Sequence, residues 1–161
     1  MEEDKYRTVN AIAEGLYKEK GSRFISFIYP VKSEEEIKDI VTGLKTKYYD
    51  ARHHCYAYCL GANRERFRAN DDGEPSSTAG KPILGQIISN DLSVVIRYFG
   101  GIKLGVSGLI QAYKEAAADA INHAEIVERT VDEVIHVRFT YVVMNDVMKV
   151  LKEEEPDILS R

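Results

Sequence analysis

The densest chemistry in this chain lies in one run, Arg97-Tyr98-Phe99-Gly100-Gly101-Ile102-Lys103-Leu104-Gly105-Val106-Ser107-Gly108-Leu109. The near-continuous apolar stretch Leu92 to Tyr98 leads into it and reads as a buried strand. The Ala-rich segment Leu109 to Ala124 follows and reads as a helix. A glycine-rich loop from Gly100 to Gly108 therefore sits between strand and helix, and its glycines let backbone amides approach a ligand closely. Arg97 and Lys103 add positive charge. Gly100-x4-Gly105 is followed by Val106 where a Walker A loop requires Lys, and no G-x-G-x-x-G occurs here. Nucleotide hydrolysis of the P-loop kind is unsupported.

A second chemical stretch is Asp71-Asp72-Gly73-Glu74-Pro75-Ser76-Ser77-Thr78-Ala79-Gly80-Lys81, with three acids, three hydroxyls and one Lys. Paired carboxylates can do acid–base work or hold Mg²⁺, while Asp, Gly, Pro and Ser also favour turns for purely conformational reasons. Thr78-Ala79-Gly80-Lys81-Pro82 directly before a helix favours a binding loop, because free amides at a helix N-terminus attract anions.

Three further groups are candidates. On a strand, Cys55 and Cys59 share a face but stand about 13 Å apart. That separation is too long for one tetrahedral zinc or for a disulfide, so both read as buried packing residues. His53 lies on the same face, as a core histidine or a site residue. Arg64, Arg66 and Arg68 alternate on one strand and point to one face. They form either a solvated strand face or a basic stripe for a phosphate backbone.

These groups need elements to position them. Tyr6 to Tyr17 reads as a strand, and Arg23 to Tyr29 as its hairpin partner across Lys20-Gly21-Ser22. Ser33 with Glu36 forms a capping box, and Ile37, Ile40, Val41 and Leu44 recur at helical spacing, predicting a helix over 33–48. His53 to Leu60 is a strand that Arg64 to Ala69 joins through Gly61-Ala62-Asn63. Asn70 to Pro75 is a loop, and Pro82 to Ile88 a short helix. Val131 to Val143 reads as a strand and Val147 to Glu154 as a helix, half of a small α+β unit.

The chain has 161 residues, 44% hydrophobic and 30% charged, which is the balance of an ordinary globular protein, and its length fits one domain, or one domain plus a fragment of a second. Its apolar runs are far short of the roughly 20 residues a membrane-spanning helix needs. The acidic start Met1-Glu2-Glu3-Asp4 does not read as a secretory signal, and two Cys fit reduced thiols in a cytoplasm. The net charge of −4 excludes a protein that coats nucleic acid by bulk charge. Residues 51–118 nonetheless hold 8 Lys and Arg against 6 Asp and Glu, so a local patch is available.

Four stretches taken in order resemble the signature of the IMPACT (YigZ) family. They are Ala51-Arg52-His53-His54-Cys55-Tyr56-Ala57-Tyr58, Asp71-Asp72-Gly73-Glu74-Pro75, Thr78-Ala79-Gly80-Lys81-Pro82 and Arg97 to Gly105. Order and spacing agree through residues of about 15–128. The resemblance implies an α+β fold like that of a ribosomal protein domain, with one mixed sheet backed by helices. Domain IV of elongation factor G and the GHMP kinases share that fold. It also implies an N-terminal IMPACT domain over 1–128 and, over 129–161, the first half of a ferredoxin-like second domain. Eukaryotic members regulate translation, and RNA or ribosome contact is the usual suggestion for bacterial ones. Two positions depart from the family pattern: Ser77 and Ser107 stand where Gly is usual.

The expected function is a translation-associated regulatory module without catalysis, binding RNA, the ribosome or a ribosome-bound protein. The alternative is a small-molecule enzyme or binding protein acting on a phosphorylated ligand. The expected ligand or partner residues are His53, Asp71, Asp72, Glu74, Thr78, Lys81, Arg97, Gly100, Gly101, Lys103 and Gly105. Arg64, Arg66 and Arg68 are expected to touch nucleic acid. No catalytic residue, cofactor or metal is assigned. An exposed edge on the C-terminal strand invites pairing, which would give a homodimer.

Overall fold

Alternation of period two in the strands and 3.6 in the helices sorts this chain into layers. The computed structural model describes residues 5–61 and 63–130. Its elements run β1 (Lys5–Val9), β2 (Ala13–Glu19), β3 (Ser22–Pro30), α1 (Glu34–Lys47), β4 (His53–Leu60), β5 (Arg66–Asn70), α2 (Gly80–Leu84), β6 (Asp91–Tyr98), α3 (Gly105–Asn122) and β7 (Ile126–Thr130). Residues 7–127 form one compact unit, and of the other described residues 5–6 and 128–130 fall outside it. The expected strand Val131–Val143 and helix Val147–Glu154 lie outside the described residues.

Five strands form one sheet in the order β2-β3-β6-β4-β5, and β1 pairs with β7 in a separate two-stranded sheet. This is the expected α+β fold, a sheet backed by helices. All four pairings in the five-stranded sheet are antiparallel. Strands of like direction occur only as non-neighbours: β3 and β4 flank β6, and α1 connects them.

The two sheet faces bury different helices. Phe27, Tyr58, Leu60, Leu92, Val94 and Ile96 pack against Ile37, Val41 and Leu44 of α1. Phe24, Cys55, Ala57, Cys59 and Val95 pack against α2 and α3 through Ile83, Leu109, Ala112, Tyr113 and Ala116. Both cysteines are free and buried, as expected of packing residues. The small side chains of that second face, together with the alanines of α3, let the helix lie close to the sheet. Ser26 Oγ donates to the Ala116 carbonyl at 2.6 Å, and Asp119 Oδ2 accepts from the Leu16 amide at 2.8 Å.

The capping box holds at the start of α1. The Glu36 amide donates to Ser33 Oγ at 3.1 Å, and Glu36 Oε1 accepts from the Lys32 amide at 3.0 Å. Four boundaries differ from expectation. The segment Tyr6–Tyr17 is two strands, because β1 and β2 join different sheets and the chain turns between them, where Asn10 N–H donates to the Glu125 carbonyl at 2.7 Å. Helix α2 starts at Gly80 rather than Pro82 and ends at Leu84, after which tight turns take over. Helix α3 starts at Gly105, whose φ of +80° turns the chain into it, so Ser107 and Gly108 belong to its first turn and the loop ends at Leu104. Arg64 has φ +58° and lies in the turn before β5, outside the strand.

Candidate functional site

Strand β6 brings Arg97 opposite His53 of β4 at the end of the sheet nearest the start of α3. Arg97 is 5% exposed. A buried guanidinium needs a partner, and Glu74 supplies it, with Arg97 Nη1 donating to Glu74 Oε2 at 2.8 Å. Tyr113 of α3 donates to the same oxygen at 2.5 Å. His53 Nε2 lies 3.6 Å from Glu74 Oε1, and its Nδ1–H donates to the Asp72 carbonyl at 2.7 Å, since a carbonyl can only accept. Burial pushes the Tyr113 hydroxyl and the Cys55 thiol far above their ordinary pKa values, so both stay protonated. One carboxylate therefore ties two strands, one loop and one helix together.

The turn that delivers Glu74 is built from its own sequence. Asp72 and Gly73 have φ of +43° and +89°, and the Glu74 amide donates to the Asp71 carbonyl at 2.9 Å. Positive φ at both central residues is what a type I′ turn requires, and Asp-Gly is a preferred pair there. Asp72 Oδ2 accepts from the His54 amide at 2.6 Å.

Asp71 organises the rest of the loop. Its carboxylate accepts from the amides of Ser77 at 2.9 Å, Ala79 at 3.1 Å and Gly80 at 2.8 Å. Burial alone would raise its pKa, but these three amides and Lys81 outweigh burial and hold it below the usual carboxylate range. The amides expected to attract an external anion ahead of α2 are thus occupied by the chain's own carboxylate. Thr78 is buried and donates through Oγ1 to the Pro75 carbonyl at 2.6 Å. Lys81 is exposed.

The glycine loop divides in the same way. Gly100 packs on the β2–β3 turn, where an added Cβ would stand 2.0 Å from the Gly21 carbonyl carbon. Gly101 has φ +95° and open space around it. Lys103 and Gly105 line a cavity of about 330 Å³ together with Arg52, His53, Glu74, Arg97 and Phe99. Pro75, Leu104, Val106 and Leu109 supply its apolar wall. The structure thus brings His53, Glu74, Arg97, Lys103 and Gly105 to one cavity. It leaves Asp71, Asp72, Thr78 and Gly100 as supports, and Lys81 and Gly101 away from it. Sequence reading missed Arg52, Phe99 and Tyr113. Tyr113 was findable, because it follows Leu109 by four residues on the buried face of α3.

On the opposite face, Arg66 and Arg68 of β5 pair with Leu60 and Tyr58 and are exposed. Arg68 lines a groove of about 390 Å³ with Lys38 and Lys45 of α1 and with Tyr56 and Tyr58 of β4. Arg66 Nη1 lies 4.0 Å from Glu34 Oε1, and Tyr58 donates to Glu34 Oε2 at 3.3 Å. Arg64, in its turn, does not continue the stripe. Lys38, Lys45 and the tyrosines were not anticipated, because their proximity to β5 arises only when α1 packs on the sheet. Among the described residues no three His, Cys, Asp or Glu side chains gather as a metal site. No helix among them is long and apolar enough to cross a membrane.

Residues 20–121 match the family model described as the Impact N-terminal domain. The chain belongs to the IMPACT family. The IMPACT family member YvyE of Bacillus subtilis (strain 168) is 37% identical over 154 residues, covering 93% of this chain and 71% of that protein. YigZ of Escherichia coli (strain K12), also an IMPACT family member, is 38% identical over 117 residues, covering 69% of this chain and 57% of that one. A crystal structure of a hypothetical protein superposes with a TM-score of 0.75 at 28% identity, over 88% of this chain and 77% of that one. The IMPACT match spans both the cavity and the groove.

Proposed function

We propose that this chain is a translation-associated regulatory module that binds RNA, free or on the ribosome, through the groove between α1 and β4–β5, and that it does so without catalysis. Membership of a family whose eukaryotic members regulate translation supports the translational half of this reading. The observation that carries the RNA half is the composition of the groove: Lys38, Lys45 and Arg68 with Tyr56, Tyr58 and one acid, Glu34, while the exposed Arg66 of β5 stands 4.0 Å from that acid. Cations track a phosphate backbone, and aromatic rings give bases a surface on which to stack. A cytoplasmic site of action belongs to the same reading. A chain of net charge −4 cannot hold RNA by bulk charge, so the interaction must be local and sensitive to reversal of a few residues.

The test is binding of a single-stranded RNA and of ribosomes at several salt concentrations. Three or four neutralised phosphates predict a log–log salt slope of roughly −2 to −3. Lys45→Glu with Arg66→Glu and Arg68→Glu should abolish binding while leaving the fold intact, because all three side chains are exposed. Binding to ribosomes that survives this change and is insensitive to salt would instead point to a protein partner elsewhere on the surface.

A further inference from the structure

We propose that the cavity beside Glu74 is a binding site for a small organic anion, a molecule carrying a phosphate or carboxylate on an apolar body. The site is separate from the RNA groove and does not rest on that reading.

Charge is the first observation. Arg52, Arg97 and Lys103 line the cavity, and Glu74 is the only carboxylate among its lining residues. Glu74 offsets Arg97 alone, and neither Arg52 nor Lys103 is in an ion pair among the described residues. Two positive charges are left over at the mouth of a partly enclosed space, where an anion interacts more strongly than in open water.

The second observation is an unsatisfied donor. Arg97 is nine-tenths buried, yet its Nε has no hydrogen-bond partner among the described residues. Buried donors are normally satisfied. Arg97 lines the cavity with its guanidinium over the rings of Phe24 and Phe99, so an anion seated there meets a cation with hydrogen-bonding capacity to spare.

The third is the start of α3. This helix of 18 residues has Leu104 at its N-cap, no side-chain capping bond and no acid in its first turn. Its free amides and dipole favour negative charge, and Gly105 and Val106 form part of the cavity wall.

The apolar wall sets the rest of the ligand. Val106 is 60% exposed although it borders Leu104 and the buried Leu109. A bare inorganic ion would leave that surface in water, whereas an organic body would cover it. The volume of about 330 Å³ lies at the lower end of the range for small-molecule sites.

The experiment is calorimetric titration of the full chain with phenyl phosphate, benzoate and inorganic phosphate. Saturable binding of phenyl phosphate or benzoate is expected, several-fold tighter than inorganic phosphate, and the two aromatic probes distinguish phosphate from carboxylate recognition. Lys103→Ala and Arg52→Ala should each weaken it about tenfold. Both side chains are exposed, so unchanged thermal melting of these variants is the control for folding. Val106→Ser should reduce the advantage of the aromatic probes and leave inorganic phosphate unaffected. Arg66→Glu with Arg68→Glu should leave all three affinities unchanged, which separates this site from the RNA groove. No saturable binding of any probe at millimolar concentration, or affinities indifferent to Lys103 and Arg52, would overturn the proposal.

Discussion

A carboxylate buried as deeply as Glu74 persists because Arg97 and Tyr113 donate to it and His53 stands beside it. Removing it strands a buried guanidinium. Glu74→Ala should therefore cost about 3–5 kcal/mol in chemical denaturation, the range for breaking one side of a buried pair. Replacing Glu74 and Arg97 together with apolar residues of similar size should recover most of that loss. Ser77 has φ +65°, a conformation that costs a non-glycine residue about 1–2 kcal/mol. Its amide bond to Asp71 does not need the side chain. Ser77→Gly should then stabilise the fold by about 0.5–1 kcal/mol after the backbone entropy of Gly is subtracted, read as a shifted denaturation midpoint. The other family departure, Ser107, sits in the first turn of α3 and carries no such strain. Asp91 provides the pH dependence. Burial pushes its carboxyl up to about 6, although Thr8 Oγ1 and the Val9 amide donate to it. The folded chain thus holds a proton there that the unfolded chain releases near pH 4, so this contribution to stability falls as pH rises from about 4 to 6. The stability of wild type relative to Asp91→Asn should drop by about 2–3 kcal/mol across that window in denaturant titrations. Asp71, held below the usual range, acts in the opposite sense: its contribution is present above its unfolded value and lost at lower pH.

At the scale of elements, the approach of β2 to α3 depends on one missing methyl group. A Cβ on Gly15 would stand 2.4 Å from the Ala120 amide nitrogen and 2.8 Å from the Asp119 carbonyl carbon, both backbone atoms of a long helix. Gly15→Ala should cost about 1–3 kcal/mol and loosen β2, seen as faster amide exchange at Leu16. Which parts of this arrangement were legible in the sequence follows from how local each cause is. Helix α1, strand β4, strand β6 and the Asp-Gly turn depend on caps, periodicity and turn residues within a few positions, and they lie where those signals put them. The division of 5–19 into two strands depends on pairing with β7 more than a hundred residues away, which no local pattern encodes. The candidate site divides along the same line. His53, Glu74, Arg97 and Lys103 stood out as residue types beside loops. That Asp71 and Thr78 spend their hydrogen bonds on the loop itself could be seen only once the loop was folded. The groove needed α1 packed on the sheet before Lys38 and Lys45 could stand near Arg68.

For the whole molecule, two faces of one sheet carry two different surfaces. The face under α2 and α3 ends in an anion-attracting cavity, and the face under α1 ends in a basic, aromatic groove. An acidic chain with a confined basic groove should bind RNA weakly, and that binding should respond steeply to salt. The central claim is that the groove is the RNA-binding surface. The most direct measurement is co-sedimentation with ribosomes and binding to single-stranded RNA, for wild type and the Lys45→Glu, Arg66→Glu, Arg68→Glu variant, at low and moderate salt. The account predicts binding at low salt that falls as salt rises and is absent in the variant. RNA binding of equal strength in wild type and variant, or none by wild type at low salt, would contradict it.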